Sequence, residues 1–119
     1  PVNGKLLPEF NNGETIYVSI DPEVNYNKYY TLGLMELNTN ILQGVSREIE
    51  AVCSTKNPVC ENRTIMNCEN ADGKPVVQLS IDDTPSVTLK GTCMDIRGKG
   101  EDLVKSVDRA LYVWYKVFG

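Results

Sequence analysis

The sequence predicts a disulfide-stapled α+β domain with the order β-α-β-β-β-α: a mostly antiparallel sheet with two amphipathic helices packed on one face. Three observations predict it. Apolar residues recur at three- and four-residue steps in two long stretches, and they alternate in shorter ones. Four cysteines fall between residues 53 and 93 of a chain that has no histidine. A length of 119 residues suits one domain with a true core. The expected boundaries are a polar N-terminal arm or linker over 1–14 and a single α+β domain over 15–119.

The arm carries two turn dipeptides, Asn3-Gly4 and Asn12-Gly13. Thr15 to Ile20 then alternates, with Ile16, Val18 and Ile20 on one face, and reads as a half-buried strand. Asp21-Pro22-Glu23 is a helix-start signal: Asp caps orphan amides, Pro suits the first turn, and Glu complements the dipole, so the helix opens there or, given Asn25 and Asn27, a few residues later. The expected helical stripe runs through Tyr30, Leu34, Leu37, Ile41, Val45, Ile49 and Val52. Gly33 and Gly44 lie eleven residues apart, nearly on one face of that helix, where they suit close packing of another element or are simply tolerated.

Arg63 to Cys68 is a candidate short strand, and Asn70 to Pro75 is a turn by composition. The runs 76–81 and 87–94 are expected to pair as a hairpin across Asp82-Asp83-Thr84-Pro85. Gly98-Lys99-Gly100 leads into a last helix with Leu103, Val107, Ala110, Leu111, Trp114 and Phe118 on one face.

Cys53, Cys60, Cys68 and Cys93 favour two disulfides in an oxidising compartment. Zinc is the rival, but structural zinc prefers closely spaced cysteine pairs, and the gaps here are wide. Free buried thiols are the third reading. Of three pairings, Cys53–Cys93 with Cys60–Cys68 follows if Cys53 ends the first helix and Cys93 lies on the strand face beneath it. Asn62-Arg63-Thr64 is a glycosylation sequon within the same segment, making Asn62 a candidate modified residue of a glycoprotein.

The net charge of −4 disfavours nucleic acid, whose phosphates need surplus Lys and Arg. It also disfavours an anionic membrane surface. Without histidine the usual proton shuttle near neutral pH is missing, and no nucleotide-binding or nucleophile-elbow motif occurs. No catalytic residue, metal ligand or cofactor is therefore expected. The pairs Asp82-Asp83 and Glu101-Asp102 read as solvated turn and cap residues, and Gly98-Lys99-Gly100 as a turn rather than an anion cradle. Asp95, on a strand, is the best single carboxylate, without a visible partner.

These readings point to a non-catalytic extracytoplasmic domain at the cell surface, working through a protein partner or self-assembly. A cell-envelope or pilus-like subunit fits, with room for a membrane anchor upstream of Pro1 or for an arm lent to a neighbour's sheet edge. The alternative is a small-ligand or carbohydrate-binding domain. Its candidate ligand-binding residues are Tyr26, Tyr29 and Tyr30, interleaved with Asn25 and Asn27.

Overall fold

The computed structural model describes residues 2–24 and 27–118. Its elements are strands β1 (Val2–Leu6), β2 (Thr15–Ile20), β3 (Glu48–Cys53), β4 (Val76–Ile81), β5 (Ser86–Gly91) and β6 (Cys93–Gly98), and helices α1 (Lys28–Thr39) and α2 (Glu101–Phe118). All six strands belong to one mixed sheet of order β1-β5-β6-β4-β2-β3. The fold is thus α+β with two helices and two disulfides, as expected, but the sheet is mostly parallel rather than mostly antiparallel. Four of its five pairings are parallel, and only β5 with β6 is antiparallel.

The correction has a local cause. The segment Asp82 to Pro85 does not turn the chain back onto β4. It carries the chain one strand position further, and β6 then returns between β5 and β4. The true hairpin turn is Gly91-Thr92, where Lys90 lies opposite Cys93. Gly91 has φ +60°, which suits the first central position of a two-residue turn. The expected strand 87–94 therefore spans two strands and the turn between them.

The first helix is shorter than its apolar stripe suggests. Asn27 caps α1 by accepting from the amides of Tyr29 (3.1 Å) and Tyr30 (3.0 Å). The helix continues into one π-helical turn, Asn40–Gly44, and then stops. Ser46 has φ 56°, a left-handed conformation that breaks the helical path. Ile49 and Val52 fit the helical spacing only by coincidence. They lie in β3, with Ile49 packed toward the main core and Val52 in a second, smaller core.

The expected arm is also corrected. Residues 2–6 form β1, which pairs with β5 along the sheet edge, and residues 8–11 form a 3-10 turn. Phe10 is fully buried, with its ring edge-on to Trp114 at 5.1 Å between centroids. Arg47, itself buried, donates to the carbonyls of Phe10 (3.3 Å), Asn12 (2.9 Å) and Thr15 (3.4 Å). The guanidinium thereby satisfies carbonyls that a turn leaves without partners, and it fastens the N-terminal segment to the start of β3.

Both helices cover one face of the sheet. Leu37 and Ile41 from the α1 side meet Leu103, Val107 and Trp114 of α2 above Val18, Leu79 and Ile96. The two glycines on the α1 side mark close approach. Gly33 lies against Val107 and Leu79, and a methyl at Gly44 would overlap the Tyr115 ring. Burying each fully enclosed Leu, Ile or Val contributes about 1.5–3 kcal/mol, so this layer carries most of the apolar stabilisation.

The other face holds the second core: Val52, Met66, Ala71, Val76 and Cys93, with Tyr17 and Cys68 against it. The long connection 54–75 covers it. That segment forms no strand at 63–68, only a single bridge between Cys53 and Ile65. Its disulfides are Cys53–Cys60 and Cys68–Cys93, not the expected pairs. The reason is topological. Cys53 sits in β3 and Cys93 in β6, with β4 and β2 between them. Three strand spacings of ~4.8 Å exceed the Cα separation of about 7 Å that a disulfide can bridge.

Candidate functional site

Four strands, β2, β3, β4 and β6, run in one direction, and their carboxyl ends gather at one rim of the sheet. From β2 the chain leaves through α1 to β3 on one side, whereas β4 leads to β5 and β6 on the other. Neighbouring strands whose connections diverge leave a crevice between their carboxyl ends, the usual ligand position in open α/β sheets. Here the helices close one face of that rim, and the stapled connection walls the other.

A hollow of about 430 Å³ lies at this place. Asp21 follows β2, Ser54 and Thr55 follow β3, Gln78 and Ser80 rise from β4, and Asp95 and Arg97 rise from β6. Asn67, Cys68 and Glu69 of the connection complete the wall. Residues 78 and 80, like 95 and 97, share a face because strand side chains alternate with a period of two. That face points away from the helices, so its polar side chains need no burial in the main core.

Charge order is set by Arg97. Its Nε–H donates to Asp95 Oδ2 (3.0 Å), and its Nη1 donates to Asp82 Oδ2 (3.2 Å). The Asp95 charge and hydrogen bond, with a smaller share from Asp82, hold the guanidinium above its ordinary range. Asp82 is pulled below the usual carboxylate range, first by the Thr84 amide and then by Arg97. Asp95 Oδ1 is buried and has no hydrogen-bond partner among the described residues. An acceptor in that condition costs about 1–3 kcal/mol until a donor reaches it.

The wall is fixed by specific bonds as well as by the staple. Gln78 Oε1 accepts from the Cys68 amide (2.9 Å), and Asn67 Nδ2 donates to the Ser54 carbonyl (3.0 Å). Ser19 Oγ, fully buried, donates to the Met66 carbonyl (2.5 Å). Beyond the Cys68–Cys93 bond, a second hollow of about 550 Å³ continues along β5 and β6, over Thr88, Lys90 and Thr92 and beside Asp72. The two hollows share Cys68, Glu69 and Asp95, so they form one groove across the open sheet face. Asp95 stands at their junction.

Tyr30 belongs to the core rather than to a surface tyrosine patch. Tyr30 is 2% exposed, and its hydroxyl donates to the Leu79 carbonyl (2.7 Å) while accepting from the Asp21 amide (2.8 Å). Burial pushes its phenol well above the ordinary range. It is a core residue, because the stripe that makes α1 amphipathic includes position 30. Tyr29 is half-buried beneath Lys28, at 5.4 Å from ammonium to ring centroid. Asn27 is occupied as the helix cap. Asn25 and Tyr26 lie outside the described residues.

Asn62, Arg63 and Thr64 are all exposed, on the connection between the two staples. Cys53, Cys60, Cys68 and Cys93 are all bonded, which leaves no free thiol among the described residues. Disulfides of this kind belong to an oxidising environment. No helix among the described residues is long and apolar enough to cross a membrane. The sequence singled out Asp95 but missed its partner. Asp95-x-Arg97 within a strand was the available signal, since i and i+2 share a face. Gln78, Ser80 and Glu69 gave none, because their contribution depends on the path of the connection.

The chain matches no protein-family model, no curated protein and no solved structure.

Proposed function

We propose that this chain is an extracytoplasmic, non-catalytic recognition domain of the cell surface or envelope that binds a protein partner in the groove around Asp95. The observation that carries the reading is where the groove opens: its first hollow lies at the carboxyl ends of parallel strands, floored by outward polar side chains. The two disulfides support the compartment, because such bonds persist outside the reducing cytosol. They also hold the groove wall, so the site and the staples depend on one another. Asn62 is the attachment point if the producing cell glycosylates, being exposed on the stapled connection.

Two experiments test it. Fractionation of the native host with thiol labelling is expected to place the protein outside the cytosol with its cysteines blocked. Fully reactive cysteines in a cytosolic fraction would sink the compartment. Surface crosslinking from a photoreactive residue at Thr88 in the groove is expected to capture a partner that a residue at Lys105 on α2 does not. Capture from Lys105 alone would move the interface to the helical layer.

A further inference from the structure

We infer that this chain assembles head to tail with further copies of itself, the β1 edge of one copy pairing antiparallel with the β3 edge of the next. β1 and β3 are the two ends of the sheet, and neither belongs to the groove. At β3, the Glu48 amide donates to the Glu14 carbonyl and the Ser54 amide to the Ile20 carbonyl, both on the β2 side. The alternation of a strand therefore turns the amides and carbonyls of Ile49 and Ala51 outward, where no described residue bonds them. Those of Cys53 are already taken by residues 64 and 66. At β1, the Leu7 amide donates to the Gly91 carbonyl, which leaves the backbone groups of Leu6 turned to the open edge. Open edges of this kind are templates for another strand.

The side chains select which strand. On the helical face, Val2 and Leu6 of β1 and Ile49 of β3 pack at the margins of the main core. On the open face β1 carries Lys5, beside Lys90 of β5, and β3 carries Glu48 and Glu50. All four are exposed, and none enters a salt bridge among the described residues. One end of the sheet is thus basic and the other acidic. β1 runs opposite to β3, because β5 with β6 is the antiparallel step between them, so copies that continue the sheet meet antiparallel with their helices on the same side. One register sets Leu6 opposite Ile49 and Gly4 opposite Ala51, so that outward backbone groups meet. It also places Lys5 opposite Glu50 at the non-hydrogen-bonded position, where side chains come closest. An apolar hollow of about 370 Å³, lined by Val2, Leu6, Leu89, Val113 and Trp114, lies beside this seam on the face that receives the neighbour's Ile49. Like edges match less well. β3 against β3, with Ile49 opposite Ala51, sets Glu50 against Glu50, and β1 against β1 about Gly4 leaves Lys5 opposite Asn3. A head-to-tail joint frees one edge at each end, so growth is open-ended.

The test is sedimentation equilibrium of the full oxidised chain at concentrations rising to about 1 mM, at low and at high salt. The average mass is expected to climb past that of a dimer without a plateau, and to fall as salt screens the Lys5–Glu50 contact. Amide exchange is expected to show Leu6, Ile49 and Ala51 gaining protection as concentration rises. Lys5→Glu and Glu50→Lys, both at exposed positions, are each expected to weaken association about fivefold, and the two together in one chain to restore it. Lys105→Glu on α2 is expected to leave it unchanged, and thermal melts of all four variants check that each is folded. A monomer at every concentration would overturn the inference, and so would a mass that stops at the dimer, which marks a pairing of like edges. Protection confined to other surfaces, or a double variant no better than the single ones, would overturn it as well.

Discussion

Replacing Cys68 and Cys93 together by alanine removes the bond that ties the groove wall to the sheet. The bond closes a loop of sequence separation 25, against 7 for Cys53–Cys60. In the chain-entropy account the longer loop stabilises by about 3.5 kcal/mol and the shorter by about 2.5 kcal/mol. With an unfolding entropy of ~2.1 cal/mol/K per residue, these become drops in Tm of roughly 14 °C and 10 °C. The difference has a structural counterpart. Cys93 belongs to the second core and Cys68 packs against it, while Cys60 clips only the start of the connection. Circular dichroism melts of the two double variants, without reductant, measure the ranking. Amide exchange then locates the damage, with protection expected to fall at Met66 and Cys68, whose amides bond Cys53 and Gln78. If the Cys68/Cys93 variant melts no lower than the Cys53/Cys60 variant, or if Met66 and Cys68 stay protected, the wall does not depend on its staple.

Arg47→Ala is expected to cost about 2–3 kcal/mol in denaturant unfolding, because carbonyls of residues 10, 12 and 15 lose a charged donor; an unchanged midpoint would refute the fastening role. Tyr30→Phe removes a hydroxyl bonded on both sides, and a loss of about 1–2 kcal/mol is expected; a neutral result would contradict the buried bonds. Glu36 is raised to about 7 by a hydrogen bond with Asp108, then by burial and the Asp108 charge. A carboxyl raised on folding stabilises below its unfolded value and loses that contribution as pH rises through its folded value. Tm is therefore expected to fall between about pH 5 and about pH 8, and Glu36→Gln to flatten that slope; an unaltered slope would assign it elsewhere.

Elements set by local chemistry were legible, and elements set by the chain's route were not. β2 and α2 announce themselves by strict periodicity, and β4 by a compact apolar run. β1 did not, because Val-Asn-Gly-Lys-Leu has little strand propensity and acquires its form from partners in β5 that lie 85 residues further along the chain. β3 was absorbed into the helix because Ile49 and Val52 serve cores on opposite faces, which mimics a three-residue step. The parallel sheet did leave traces. Val76-Val77 is buried on both faces, and 22 residues separate β3 from β4, too long for a hairpin. At the site, Asp95 was visible as an isolated strand carboxylate. Its neighbours from the connection were not, since the path of 54–75 follows from a disulfide pairing that sequence alone leaves open.

That pairing sets the wall and the groove together, and the presence of disulfides points to an oxidising environment. Mass spectrometry of a non-reduced digest of protein taken from its native host reads it directly. The account predicts two linked species, Cys53–Cys60 and Cys68–Cys93, with no alkylatable thiol. Cys53–Cys93 with Cys60–Cys68, or four free thiols, would contradict it.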